Sequence, residues 1–311
     1  MKKFLTVVLA LAMVISLALS ASAAGIIYII TPSTSNPFFG TEQVVAIAKA
    51  KALGYEPKCF SHDDDAAAQL QLFEAAISDK AVAIICDNAG ADASVEAVRK
   101  AVDAGIPVML IDREINVTGL ALAQIVADNA QGAAAIAEKW VEAMNYTGKY
   151  AELLGLESDT NCWVRSQNFH AVIDEYPDLQ MVVQQSANWS QTEGYSKTEA
   201  ILQAHPDIKG IICGNDTMAC GAAQACIDAG RNDVKIIGVD GSDEAAAYVA
   251  SGNMVGTALQ QIARITEIAV EQVDAYVKNG TKPATEKQLI PCMAITKDNV
   301  ANLKAFVYTE K

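Results

Sequence analysis

The stretch VAIICDNAGADASVEAVRKAVDAGIPVMLIDR, residues 82–113, decides the fold. An apolar run, Val82–Cys86, ends in Asp87-Asn88. The alanine-rich stretch Ser94–Ala104 follows with helical spacing, and Gly105 closes it where a left-handed residue is wanted. A second apolar run, Pro107–Ile111, ends in Asp112-Arg113. Strand, helix and strand in that order make a parallel unit. The strands are apolar throughout rather than alternating, so both faces of the sheet are covered.

Working outward, the same alternation fills the chain. Strands are predicted at Ile26–Ile30, Tyr55–Phe60, Ala121–Val126, Lys149–Leu154, Gln180–Gln185, Ile208–Cys213 and Val234–Val239. Helices are predicted at Phe39–Leu53, Ala66–Ser78, Ala130–Met144, Val164–Tyr176, Gln191–Ala204, Thr217–Ala229 and Ala263–Val277. Each half contributes four or five such units, and no Gly/Ser linker separates them. The predicted fold is α/β: two similar doubly wound parallel-sheet lobes joined by a three-crossing hinge. The crossings are expected near Val126–Asn129, Leu259–Ile262 and Gln288–Pro291. Residues 25–127 with 261–289 would form the N-terminal lobe, and 128–260 with 290–311 the C-terminal lobe.

The first residues speak to the compartment. Lys2-Lys3, the apolar run Phe4–Leu19 and the small residues Ser20–Ala24 have the layout of a cleaved signal peptide. A membrane anchor would need a longer apolar span. Removing residues 1–24 takes away two lysines and no acid, so the formal charge falls from −14 to −16. That charge disfavours nucleic acid and anionic membrane surfaces as partners. Seven cysteines remain, an odd count that leaves at least one unpaired within the chain. Cys220 and Cys226, six apart on a predicted helix, are too far separated to be bridged. With no C-x-x-C there is little case for zinc or redox chemistry. No metal or other cofactor is expected. There is no G-x-G-x-x-G after a strand, no Walker A loop and no G-x-S-x-G elbow, so no enzyme and no catalytic residue is expected. A DNA-binding regulator would need a helical domain where the signal peptide stands.

Ligands of open α/β sheets bind beyond the carboxyl ends of the strands. Five strand ends here carry polar groups: Ser35-Asn36 ahead of Phe38-Phe39, Asp87-Asn88, Asp112-Arg113, Asn215-Asp216 and Asp240-Gly241. Any one of them could be an ordinary helix cap. Together they suit a neutral polyhydroxyl ligand. Carboxylates and amide oxygens take donated protons, arginine forks feed the oxygens, and aromatic rings pack on the apolar C–H face. Asp112 would be balanced by Arg113 and Arg165. Met218 and Ala219 read as core. His62-Asp63-Asp64-Asp65 reads as a solvated turn with an acidic helix start.

These motifs, in this order, resemble those of the periplasmic sugar-binding proteins of the ribose/galactose/inositol type, which serve ABC transporters. The resemblance spans essentially all of residues 25–311. Ser35-Asn36-Pro37-Phe38-Phe39 is similar to the first ligand loop, and Asp112-Arg113 to the family's Asp-Arg pair. Asp128-Asn129 resembles the first crossover, and Gly214-Asn215-Asp216-Thr217-Met218-Ala219 a strand–helix turn. Gly238-Val239-Asp240-Gly241 resembles the G-x-D-G turn. The resemblance implies that Asn36, Asp112 and Arg113 hydrogen-bond the ligand from one lobe. Arg165, Asn215 and Asp240 would do so from the other, and Gln260 from the hinge. Phe39 and Trp189 would sandwich the ring, with Phe38 lining the wall. Pro32 replaces a hydroxyl residue of ribose binders, and Trp189 is larger than the phenylalanine often found there. The implied function is capture of a small neutral sugar or polyol by a periplasmic monomer, with delivery to a membrane permease. A chemotaxis or quorum-signal receptor on the same fold stays open beside it.

Overall fold

Short, fully buried strands rich in isoleucine set up the structure. The computed structural model describes residues 24–310. The expected leader therefore lies, but for Ala24, outside the described residues. Among those residues, no helix is long and apolar enough to cross a membrane.

The first sheet is built from β1 (Ile26–Thr31), β2 (Glu56–Ser61), β3 (Ala83–Cys86), β4 (Val108–Ile111) and β5 (Ala123–Ala127). A late strand, β11 (Lys287–Ile290), completes it, giving the order β11-β5-β4-β3-β1-β2. Helices α1 (Pro37–Ala52), α2 (Ala66–Ser78), α3 (Val95–Asp103) and α9 (Ile262–Asn279) belong with this sheet. The second sheet holds β6 (Gly148–Leu154), β7 (Leu179–Ser186), β8 (Ile208–Cys213), β9 (Lys235–Asp240), β10 (Gly256–Leu259) and β12 (Met293–Thr296). Its order is β12-β10-β9-β8-β6-β7, which follows the first strand for strand apart from the direction of its edge strand β12. The pairings are parallel in both sheets except β10 with β12. Helices α4 (Asn129–Ala143), α5 (Thr160–Ile173), α6 (Gln191–Ala204), α7 (Asp216–Asp228) and α8 (Asp243–Ser251) belong with it. A small hairpin, β13 (Leu303–Lys304) with β14 (Val307–Tyr308), ends the chain.

The chain passes from one sheet to the other after β5, after β10 and after β11. Ile290 pairs with Ala127 and so belongs to the first sheet. Gly54, Gly105 and Gly230 all have positive φ at helix ends, as their spacing predicts. The apolar strand cores Ile29, Ile85, Ile111, Ile211 and Ile237 are wholly buried.

Several elements differ from the sequence reading. Helix α5 starts at Thr160, a turn before the predicted Val164, because the Asp159 carboxylate accepts from Asn161 N at 2.9 Å and caps it. Helix α8 has no counterpart among the predicted helices; its alanine-rich sequence holds only Tyr248 and Val249 as large apolar residues, too few to show a clear period. Strands β10, β11 and β12 are likewise additions, each only four residues long and too short to show a period.

Candidate ligand-binding site

The carboxyl ends of the two sheets face each other, and the predicted residues collect between them. Asp112 follows β4 with φ +58, in a tight turn where Arg113 N donates to Ile111 O at 2.6 Å. Asp240 ends β9 with φ +142. Left-handed backbone at a non-glycine residue is strained, and such strain clusters at functional sites. Gly241, at φ +82, continues the second turn. The buried Asp216 carboxylate holds that turn, accepting from Gly241 N at 2.9 Å and Ser242 N at 2.7 Å. Gly238 has no side chain because a Cβ would lie 2.5 Å from Asp216 Oδ1.

On each side of the cleft one arginine is stacked on one aromatic ring. Arg113 lies 5.2 Å from the Phe39 ring centre, and Arg165 lies 5.3 Å from the Trp189 ring centre. Both distances fit a cation–π contact. Trp189 is held by two successive left-handed residues, Asn188 at φ +52 and Trp189 at φ +59. Its ring takes the space that side chains at Gly155 and Gly214 would need, with Cβ positions only 2.0 and 2.9 Å from ring carbons. Phe38 packs edge-on against Phe39 and against Phe306 of the terminal hairpin, at 5.7 and 5.6 Å.

The remaining predicted residues divide into two kinds. Gln260 holds an acceptor: its Nε2 donates to Asp240 Oδ1 at 2.8 Å. Arg165 Nη1 donates to Gly214 O at 3.0 Å and stands 3.8 Å from Asp240 Oδ1. Asn36 and Asn215 both act as helix caps. Asn36 Oδ1 accepts from Phe38 N and Asn215 Oδ1 from Met218 N, each at 3.0 Å. Their amide oxygens are thus engaged by the backbone. Asn36, Phe39 and Trp189 line a cavity of about 290 Å³ at the mouth of the cleft, together with Ser33, Asn188 and Gln191. A larger hollow of about 370 Å³, lined by Leu202, Pro206 and Arg231, contains none of the predicted residues.

Burial dominates the electrostatics. It pushes the Asp112 carboxyl up to about 6, with Arg165 pulling it back. Burial also holds Asp240 and Asp87 well above the usual carboxylate range, opposed by Arg165 and Arg113 respectively. Burial acts to lower the Arg113 guanidinium, but Asp87, Asp159 and Asp64 outweigh it and keep the charge secure.

The structure adds residues that the sequence reading passes over. Glu42 is fully buried on α1, and neither of its carboxyl oxygens has a hydrogen-bond partner. One oxygen from each of Glu42, Asp87 and Asp112 lies within 4.8 Å of the other two. Burial, then Asp87 and Asp112, raise the Glu42 carboxyl well above its usual range. Arg113 Nε stands 3.5 Å from Asp87 Oδ1, and these glutamate oxygens are closed to water, so a proton rather than a hydrated cation suits the cluster. The signal is present in the sequence: Glu42 sits three residues after Phe39 and four before Ala46, on the face that α1 buries. In the His62–Asp65 turn the three aspartates are exposed, as expected, while His62 is not. His62 is buried with Nε2 2.7 Å from Asp87 O, and Asp64 accepts from Arg113 Nη1 at 2.6 Å. Asp65 does cap α2, as expected.

The family model for a periplasmic binding protein domain matches residues 27–282. A D-apiose import binding protein of Actinobacillus succinogenes is 55% identical over 283 residues, covering 91% of each chain. A second D-apiose import binding protein, from Paraburkholderia graminis, is 51% identical over 287 residues and 92% of each chain. The crystal structure of an ABC transporter periplasmic solute binding protein from Actinobacillus succinogenes with bound D-allose superposes with a TM-score of 0.84. It is 28% identical and covers 89% of this chain and 99% of that one. Two sheets of matching strand order, a cleft of acids and stacked arginines between their carboxyl ends, and a match across most of the length lead to one assignment: the chain belongs to the periplasmic binding protein family.

Proposed function

We propose that this protein captures D-apiose in the cleft between two lobes and hands it to the membrane permease of an ABC importer. The observation that carries the reading is the pair of acceptors, Asp112 and Asp240, offered from opposite sheets, each near an arginine stacked on an aromatic ring. A sugar needs just such groups: acceptors for its hydroxyl protons, donors for its oxygens and flat surfaces for its C–H faces. The choice of D-apiose rests on the two relatives above 50% identity. In this reading Asp112, Arg113, Phe38, Phe39 and Asn36 act from the first lobe. Arg165, Trp189, Asn215 and Asp240 act from the second. Gln260 acts from the hinge, and the amide nitrogens of the two capping asparagines serve as donors. Each sheet moves with its own helices as one body, with bounds at the three crossings. The chain works as a monomer outside the inner membrane, after removal of residues 1–24. Its net charge, −14 for the full sequence and −16 without residues 1–24, keeps it off nucleic acid.

Closure would expel water and complete the contacts, a hinge motion of known type. The ligand shifts the equilibrium only by its better affinity for the closed form. The test is a melting series with D-apiose beside ribose, hexoses, inositols and linear polyols. A ligand at about 1,000 times its Kd adds roughly 4 kcal/mol to the folded state. D-apiose should give the largest shift, and Asp112→Ala or Asp240→Ala should abolish it. A larger shift with another sugar would replace the ligand. No shift with any of them would remove the sugar reading.

A further inference from the structure

The start of α5 reaches across the cleft to both members of the Asp112-Arg113 pair. Asp159 caps α5, on the second sheet, yet its Oδ2 stands 3.0 Å from Arg113 Nε on the first. The two side chains are only 3% and 2% exposed. Two residues on, Asn161 Nδ2 donates to the main-chain oxygen of Asp112 at 3.1 Å and lies 3.5 Å from its Oδ1. Asn161 is itself held. Asn129, just past the first crossing, donates to Asn161 Oδ1 at 3.0 Å and accepts from Arg165 Nε at 2.7 Å. An unbroken relay therefore runs from Arg165 through Asn129 and Asn161 to Asp112. Next to it, Ala91 N donates to Ser158 O at 3.2 Å, again between the two sheets.

We infer that Asp159 and Asn161 are positioning residues that fasten Asp112 and Arg113 across the cleft, so that closure and sugar binding report on each other. The inference rests on the sugar-binding reading above. Three features support it beyond simple packing. Asn161 grips the Asp112 carbonyl more closely than its carboxylate, fixing a strained left-handed residue while leaving acceptor capacity for a ligand. Asp64 and Asp87 accompany Arg113 from its own lobe, so Asp159 is the acid whose contact depends on closure. The pair is buried, where charges must be well placed to offset their desolvation. An empty, imperfectly closed cleft gives that pair little, whereas a ligand that seats Arg113 and Asp112 allows it to form.

The experiment follows closure without relying on the ligand. A Cβ built at Gly90 lies 3.7 Å from the Ser158 Cβ across the cleft, the separation typical of a disulfide. The G90C/S158C protein should therefore crosslink at a rate set by how often the cleft closes. Adding D159N or N161A to that background should slow crosslinking at least fivefold without sugar. In the parent protein, each variant should speed D-apiose release about tenfold while the unliganded melting temperature stays within a few degrees. Asn161→Asp, which sets an acid against Asp112, should be more severe than Asn161→Ala. Crosslinking and release rates that match the parent in both variants would overturn the inference. If the parent fails to bind D-apiose, the ligand assignment falls, and the crosslinking comparison still decides the role of Asp159 and Asn161.

Discussion

Glu42 shows how a single side chain can depart from the pattern around it. It lies on the buried face of α1 among Phe38, Phe39 and Ala46, with neither oxygen hydrogen-bonded. Its folded-state pKa is raised by burial, so its contribution is fully present below the unfolded value of about 4.3 and is lost as pH rises above it. Glu42→Gln is expected to flatten the decline of melting temperature between about pH 4.5 and 8, and to stabilise the protein at the upper end by about 1 kcal/mol or more. A steeper decline in the variant would mean that the glutamate is ionised and partnered. Asp112 predicts the opposite slope for binding. Burial pushes its carboxyl up to about 6, and in the proposed site the ionised form is the stronger acceptor for a sugar hydroxyl. Sugar affinity should therefore fall about tenfold between pH 7 and pH 5, and titration calorimetry at both values checks it. At this scale the sequence is partly legible. Asp112, Arg113 and Asp240 announce themselves because a polar residue directly behind an apolar strand is seldom anything but a cap or a ligand group. Asn36 and Asn215 show the limit of that logic, since their oxygens serve helix N-termini whether or not the nitrogens meet a ligand.

Elements place these residues, and their ends matter more than their middles. The periodicity of Val164–Tyr176 is real, but a 3.6-residue pattern says little about the first turn, where capping decides. Starting α5 four residues late leaves Asp159 and Asn161 in a loop and hides their reach across the cleft. The same helix carries His170, whose partners are the acids Glu152 and Asp174. Hydrogen bonding to buried Glu152 on β6 lifts its imidazole to about 9, with Asp174 adding to the effect. A histidine raised in this way contributes fully below its unfolded value of about 6.5 and loses that contribution as pH rises through about 9. His170→Ala is expected to cost on the order of 2 kcal/mol at about pH 6.5 and far less at about pH 10.5, measured by urea unfolding at the two values. Equal costs at both would mean the ring matters only by packing. Turns make a second prediction. Gly155→Ala would put a methyl group into the Trp189 ring, so both Trp fluorescence and sugar affinity should change, the latter by at least tenfold.

For the whole molecule, the alternation of strands and helices is enough to forecast two similar sheets, because a parallel sheet needs a helical crossover after nearly every strand. The expected crossings already return residues 261–289 to the first sheet; what the reading leaves out is the strands themselves, because β10, β11 and β12 are four residues each, too short to show a period. The cysteines give a global prediction. All seven are free, and six are buried. Reductant should leave the melting temperature unchanged. In the native state Cys59 alone should react with a thiol reagent, and slowly, since burial pushes its thiol up to about 11.

The late strand β11 has a consequence for how the molecule comes into being. Lys287 pairs with Gln124 and Ile290 with Ala127, so the first sheet lacks its edge until almost the entire second one has been made. A chain delivered end-first, from a ribosome or through a translocation pore, thus cannot finish its first half early. Such distant pairings also slow folding. The first sheet gains its sixth strand only when about the last two dozen residues arrive, so completion of both halves falls at the end of the chain's passage.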